Sequence, residues 1–219
     1  MKIFLDTANL EQIKKWMPTG LVDGITTNPS HLSKEGPATK ELLLEISRIV
    51  PGEVSVEVVK KDPQEVYQQA KEIAELGKNI VVKIPFALEY LSVIDRLTKE
   101  GIRINVTLIF SLLQALCAAK LGVAYISPFI GRLDDIDVDG VAIVAEIVDM
   151  VAIHGFSSQV LSASVRHVMH FHKVLLAGSD VATIPPSLFE RLIKHPLTEQ
   201  GMKKFDQDWQ QLGKKDLLS

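Results

Sequence analysis

Lys83 lies in the run Asn79-Ile80-Val81-Val82-Lys83-Ile84-Pro85, where β-branched neighbours predict a strand buried on both faces. An ammonium group is costly in such a place. Burial favours the neutral amine, which can attack a ketone and form a Schiff base. A lysine at a strand end could instead lay its stem along the sheet and keep its charge in water, so the polar residues that close the other apolar runs must decide. Those residues are Asp6, then Thr26-Thr27-Asn28, Glu57, Lys83, Asn105 with Thr107, Ser127, and, beyond a seventh run, Ser162, Ser164 and Arg166. Each has a plain reading alone, as a helix cap or a turn residue. Together they offer a carboxylate pair, an amine, two carboxamides and a guanidinium to one pocket. An iminium formed on Lys83 would act as an electron sink for making or breaking the adjacent carbon–carbon bond. Asp6 and Glu57 are both candidates to take the proton from the hydroxyl on that bond. Asn28 and Asn105 suit sugar hydroxyls. Arg132 and Arg166 among serine hydroxyls suit a phosphate, because a guanidinium presents paired donors to phosphate oxygens. The substrate class this implies is a phosphorylated sugar.

Eight short apolar runs must position these groups, near 2–6, 21–27, 54–58, 79–83, 103–107, 123–127, 158–162 and 175–180. Each is followed by a segment of helical period, near 9–17, 37–49, 63–76, 88–100, 110–121, 139–154, 164–173 and 186–193. Eight β-α units in 219 residues predict an α/β fold of the (β/α)8 barrel type, whose reacting groups sit at the C-terminal strand ends. Asp6-Thr7-Ala8-Asn9 is not the glycine-rich turn of a doubly wound dinucleotide-binding sheet. A further amphipathic helix, about 198–212, starts at His195-Pro196-Leu197-Thr198-Glu199 and carries Phe205 and Trp209 four apart. Those aromatics either pack back on the barrel or reach a neighbouring subunit.

Composition bounds the rest. The chain is 47% hydrophobic, enough for one substantial core, and a single barrel domain over 1–219 is expected. A net charge of -3 without a lysine–arginine block gives no reason to expect nucleic acid or an anionic membrane as partner. The N-terminus enters a strand pattern at once, and no apolar run reaches the roughly 18 residues of a membrane helix. The expected location is cytoplasmic. Cys117 is the only cysteine, so no disulfide forms within the chain; its apolar surroundings assign it to packing, and Trp16 and Trp209 are likewise read as packing residues.

On seven motifs the sequence resembles the small transaldolase and fructose-6-phosphate aldolase family over essentially its whole length. They are Phe4-Leu5-Asp6-Thr7-Ala8, Gly24-Ile25-Thr26-Thr27-Asn28-Pro29-Ser30, Val82-Lys83-Ile84-Pro85, Asn105-Val106-Thr107-Leu108-Ile109-Phe110-Ser111, Ser127-Pro128-Phe129-Ile130-Gly131-Arg132, Ser164-Val165-Arg166-His167 and His195-Pro196-Leu197-Thr198. The resemblance implies a (β/α)8 barrel with Lys83 as the Schiff-base lysine, Asp6 as the acid/base at the cleaved bond, and Glu57 with Thr107 holding a catalytic water. It implies that Asn28, Asn105 and Ser127 bind the dihydroxyacetone part and that Arg132, Ser164 and Arg166 lie near the phosphate. It also implies no metal or other cofactor, a place in the pentose phosphate pathway, and self-association into pentamers or decamers through the terminal helix.

Within that family the aldolase branch carries tyrosine at the position of Phe129 and glutamine at that of Glu57, so both residues here point to a transaldolase. The alternatives are an aldolase that releases dihydroxyacetone and a sugar-phosphate-binding barrel without activity. The last is motivated by Ala87 and Tyr90, where the family usually has threonine and glycine. Two metal patterns are set aside. Asp135 to Glu146 fits a calcium-loop template, but Ser127-Pro128-Phe129-Ile130-Gly131 breaks the helix that should enter it. His167, His170 and His172 share a helical segment without the further ligands a metal needs, and a helix face near the phosphate pocket is the preferred reading.

Overall fold

Alternation along each strand puts every second residue on the inside of a closed barrel. The computed structural model describes residues 1–213 and 216. Eight strands, β1 (Lys2–Asp6), β2 (Gly24–Thr26), β3 (Glu53–Glu57), β4 (Ile80–Pro85), β5 (Ile104–Ile109), β6 (Tyr125–Pro128), β7 (Gln159–Ser162) and β8 (Val181–Ile184), pair in parallel and in chain order. β8 closes on β1, with Lys2 beside Val181 and Leu5 beside Ile184. The helices are α1 (Leu10–Trp16), α2 (Pro29–Leu32), α3 (Thr39–Ile49), α4 (Pro63–Ala74), α5 (Leu91–Lys99), α6 (Leu112–Lys120), α7 (Ile130–Asp134), α8 (Gly140–His154), α9 (Val168–Leu176), α10 (Pro186–Ile193) and α11 (Pro196–Gln211). The expected (β/α)8 barrel with an added terminal helix is therefore the fold.

Two apolar cores result. The larger joins the outward strand residues, such as Leu5, Ile25, Val82, Ile104 and Ile126, to the helices. The smaller, Phe4, Val81, Tyr125, Leu161, Ala163 and Val181, fills the barrel itself, as side-chain layers fill such barrels generally. Gly24 makes room for it: a Cβ there would lie 2.7 Å from the Phe4 ring and 2.6 Å from the Glu53 carbonyl oxygen. This plug floors a site on the C-terminal side.

Several boundaries differ from the sequence reading. The eighth strand is Val181–Ile184 and not 175–180, because the apolar Leu175-Leu176 continues α9 until Gly178, with φ +81°, turns the chain out of the helix. The helix expected at 164–173 begins only at Val168, capped by His167, whose side chain accepts from the His170 N–H. The second strand shrinks from 21–27 to Gly24–Thr26, and the short α2 and α7 were not anticipated. Cys117 is exposed, since the buried face of α6 is Ala115, Ala118 and Ala119 and position 117 falls off that stripe. Trp16 does pack, its ring 5.1 Å from that of Phe189. No residue of α11 is buried, and Phe205 stands 72% exposed, so its ring is not packed back on the barrel.

Candidate active site

Lys83 is 5% exposed at the upper part of β4, where the register sets it between Glu57 of β3 and Asn105 of β5. Its Nζ lies 2.9 Å from Glu57 Oε2 and donates to the Thr27 carbonyl at 3.2 Å. The amine is thus buried among acceptors, with a carboxylate in reach to take a proton from it. Across the barrel mouth Asp6 accepts from Thr26 Oγ1 at 2.9 Å, and Thr26 in turn is within 2.6 Å of Thr183 Oγ1. The second oxygen of Asp6 lies 3.2 Å from His31 Nε2. Burial alone would raise the Asp6 carboxyl. The hydrogen bond and charge of His31, the charge of Lys83 and the hydrogen bond of Thr26 outweigh it and hold the group below the usual carboxylate range.

The carboxamides are fixed differently. Asn105 donates to Ser55 Oγ at 3.2 Å and accepts from Ser127 Oγ at 2.6 Å, so three strands lock its plane. Asn28 caps α2, its Oδ1 accepting the His31 N–H at 2.9 Å, which leaves its amide N–H groups for the cavity. That cavity, about 370 Å³, is lined by Asp6, Asn28, Glu57, Lys83, Asn105, Ser127, Phe129, Arg132 and Ser164 among the expected residues. Arg132 spreads over the Phe129 ring, 5.2 Å from its centre.

Two expected residues stand outside the lining. Thr107 is fully buried, and its Oγ1 is the one buried side-chain polar atom without a partner among the described residues. Arg166 is turned away: the chain bends at Ser164, with φ +56°, and the guanidinium pairs with Asp135, Nη2 to Oδ2 being 2.6 Å. Gly131 permits this path, since a Cβ there would lie 2.6 Å from the Ser164 carbonyl oxygen and 2.7 Å from Arg166 Cδ. Ala87 and Tyr90 do not line the cavity either; Tyr90 is buried and its hydroxyl donates to the Lys61 carbonyl. His31 and Thr183 line it without having been singled out. The spacing of His31 from Asn28 at a capped helix start is the available signal for the first, but Thr183 sits on β8, beyond the expected range of 175–180.

The matching family model, Transaldolase/Fructose-6-phosphate aldolase, spans residues 3–216. The chain belongs to that family. A relative from Anaeromyxobacter dehalogenans (strain 2CP-C), named "Probable transaldolase", is 49% identical over 214 residues, which is 98% of this chain and 99% of the relative. Another so named, from Clostridium perfringens (strain ATCC 13124), is 50% identical over 95% of this chain and 97% of its own length. Among solved structures, an inosine 5'-monophosphate dehydrogenase from Legionella pneumophila superposes with a TM-score of 0.61 over 86% of this chain and 58% of that one, at 12% identity. Such a likeness carries the barrel fold and nothing of the chemistry.

Proposed function

We propose that the protein is a transaldolase, moving a dihydroxyacetone unit from a ketose phosphate such as fructose 6-phosphate to an aldose phosphate, through a Schiff base on Lys83. The observation that carries this reading is the buried amine of Lys83 beside Glu57, facing Asp6 across a polar cavity. The neutral amine adds to the ketone, water leaves, and the iminium draws the electron pair of the carbon–carbon bond as Asp6 takes the proton of the neighbouring hydroxyl. The aldehyde departs and an enamine remains for the acceptor. Asn28, Asn105 and Ser127 hold the three-carbon unit. Glu57 and Thr107 hold the catalytic water, which the unpartnered Thr107 hydroxyl is free to bind. Arg132 and Ser164 take the phosphate, joined by Arg166 once it leaves Asp135.

Phe129 and Glu57 at the cavity support transfer over release: a phenyl ring offers no acid to assist protonation and discharge of the enamine. The place of Ala87 and Tyr90 outside the cavity removes the motive for a non-catalytic reading. The exposed Leu197, Met202 and Phe205 of α11 suit a homo-oligomer held through that helix. The sugar-phosphate chemistry proposed for the site suits a cytoplasmic enzyme of the pentose phosphate pathway; among the described residues no helix is long and apolar enough to cross a membrane. The test is multiple-turnover release of glyceraldehyde 3-phosphate from fructose 6-phosphate, with and without erythrose 4-phosphate. Turnover that requires the acceptor is expected. Sustained release without it would mean an aldolase, and no release in either case would overturn the reading.

A further inference from the structure

His31 belongs to two depressions at once. It lines the cavity above Lys83, and it also lines an outer groove that includes Lys15, Lys34, Glu35 and Glu190. We propose that His31 is a positioning residue for Asp6: its imidazole donates from Nε2 to one carboxylate oxygen and, with Thr26 on the other, aims the carboxylate at the substrate hydroxyl, its ring open to solvent through the outer groove. The inference rests on the acid/base role given to Asp6 above.

The geometry supports it from three sides. Asn28 caps α2 through the His31 N–H, so the backbone of residue 31 is fixed by a residue that itself faces the cavity. Thr26 holds Asp6 Oδ1 while His31 Nε2 stands 3.2 Å from Oδ2, so rotation of the carboxylate is opposed at both oxygens. The charged neighbours are few. Lys83 from β4, Glu57 from β3 and Arg132 from α7 line the cavity with the pair, and Lys34 joins Lys15 on the groove side. On the groove side Glu35 is engaged by the Asn9 amide at 3.2 Å, and Glu190 by Lys194 at 2.7 Å and Lys15 at 3.8 Å.

The chemical need is specific. Asp6 must be anionic to take a proton; burial opposes the anion, and the hydrogen bond from His31 is the foremost of the neighbours that restore it. When the substrate O–H breaks, its electron pair becomes the aldehyde carbonyl and the carbon–carbon pair flows into the iminium to give the enamine. The proton is then held on the Asp6 carboxyl, which His31 and Thr26 keep in place, until the acceptor's new alkoxide takes it back.

The experiment is a carbon-13 titration of the Asp6 carboxyl in the unmodified protein, His31→Gln and His31→Leu, with kcat and KM measured against pH and borohydride trapping of fructose 6-phosphate on Lys83. Glutamine keeps a donor without a titrating ring, and leucine removes both. Asp6 should titrate at progressively higher pH from the unmodified protein to Gln to Leu. The acidic limb of kcat should move with it, kcat should fall about tenfold in Gln and about a hundredfold in Leu, and KM and trapping should stay close to unmodified values. An Asp6 titration unmoved in His31→Leu overturns the proposal whether or not the protein turns over. So does a kcat loss with no change in the pH limb, which marks a merely structural role. Failure of the unmodified protein to be trapped would overturn the Schiff-base reading instead, and the carboxyl titration would still decide the pair.

Discussion

At the lower end of β3, Glu53 accepts from the Tyr125 hydroxyl and pairs with Arg103; at the upper end of the same strand and on the same face, Glu57 has Lys83 as its ion-pair partner. The difference repeats around the barrel. Below, Asp23 accepts the Ile3 N–H and Asp180 the Val160 N–H, each at 2.7 Å, and the Phe4–Tyr125 contact seals the floor. Above, Asp6, Glu57, Lys83 and Ser127 open on a cavity, and the Thr107 hydroxyl has no partner. Polar groups at the lower end are spent on joining strands. Most of those at the upper end line a space where a substrate can sit, the division expected between the two faces of such barrels.

Breaking the upper end should cost activity far more than it costs the fold. Lys83→Met is expected to lower turnover by roughly 10⁴-fold or more and to abolish borohydride trapping, measured by mass, in a protein that still folds but loses about 3 kcal/mol because Glu57 is left without its ion-pair partner. Retained turnover would remove Lys83 from the chemistry. Breaking the lower end should do the reverse. Glu53→Ala leaves the Tyr125 hydroxyl and Arg103 without their acceptor and should destabilise by about 2 to 3 kcal/mol, seen in urea unfolding, while kcat/KM of the folded protein stays within about twofold of normal. An activity loss matching Lys83→Met would erase the contrast. The smallest effect sharpens it: Thr107→Val should leave stability unchanged or raise it by up to about 1 kcal/mol, while slowing turnover. A stability loss larger than that would make the Thr107 hydroxyl a structural group like those below.

The barrel was legible because strands buried on both faces read as continuous apolar runs broken by a helical period, and seven of the eight runs overlap their observed strands. Leu175-Leu176 misled the eighth because a short apolar run has no period of its own, and the helix that precedes it was free to absorb it. Cys117 failed for a related reason: an apolar segment such as Leu112 to Leu121 does not reveal which stripe faces inward.

The types of the proposed catalytic residues came from the sequence itself. Asp6 and Glu57 end their strands, Lys83 stands two residues before the end of its own, and Asn105 lies in register beside Lys83; strand ends in a closed parallel barrel converge on one mouth whatever the loops do. What only tertiary structure decided is which free valences remain there. Arg166 is drawn to Asp135, a partner 31 positions away that no local pattern announces. Thr107 loses every neighbour that could bond its hydroxyl. His31 reaches Asp6 because a capped turn at Asn28 folds it back over the first strand. Local spacing determines which face a side chain takes, whereas pairing between charges far apart in the chain depends on where closure of the barrel brings them.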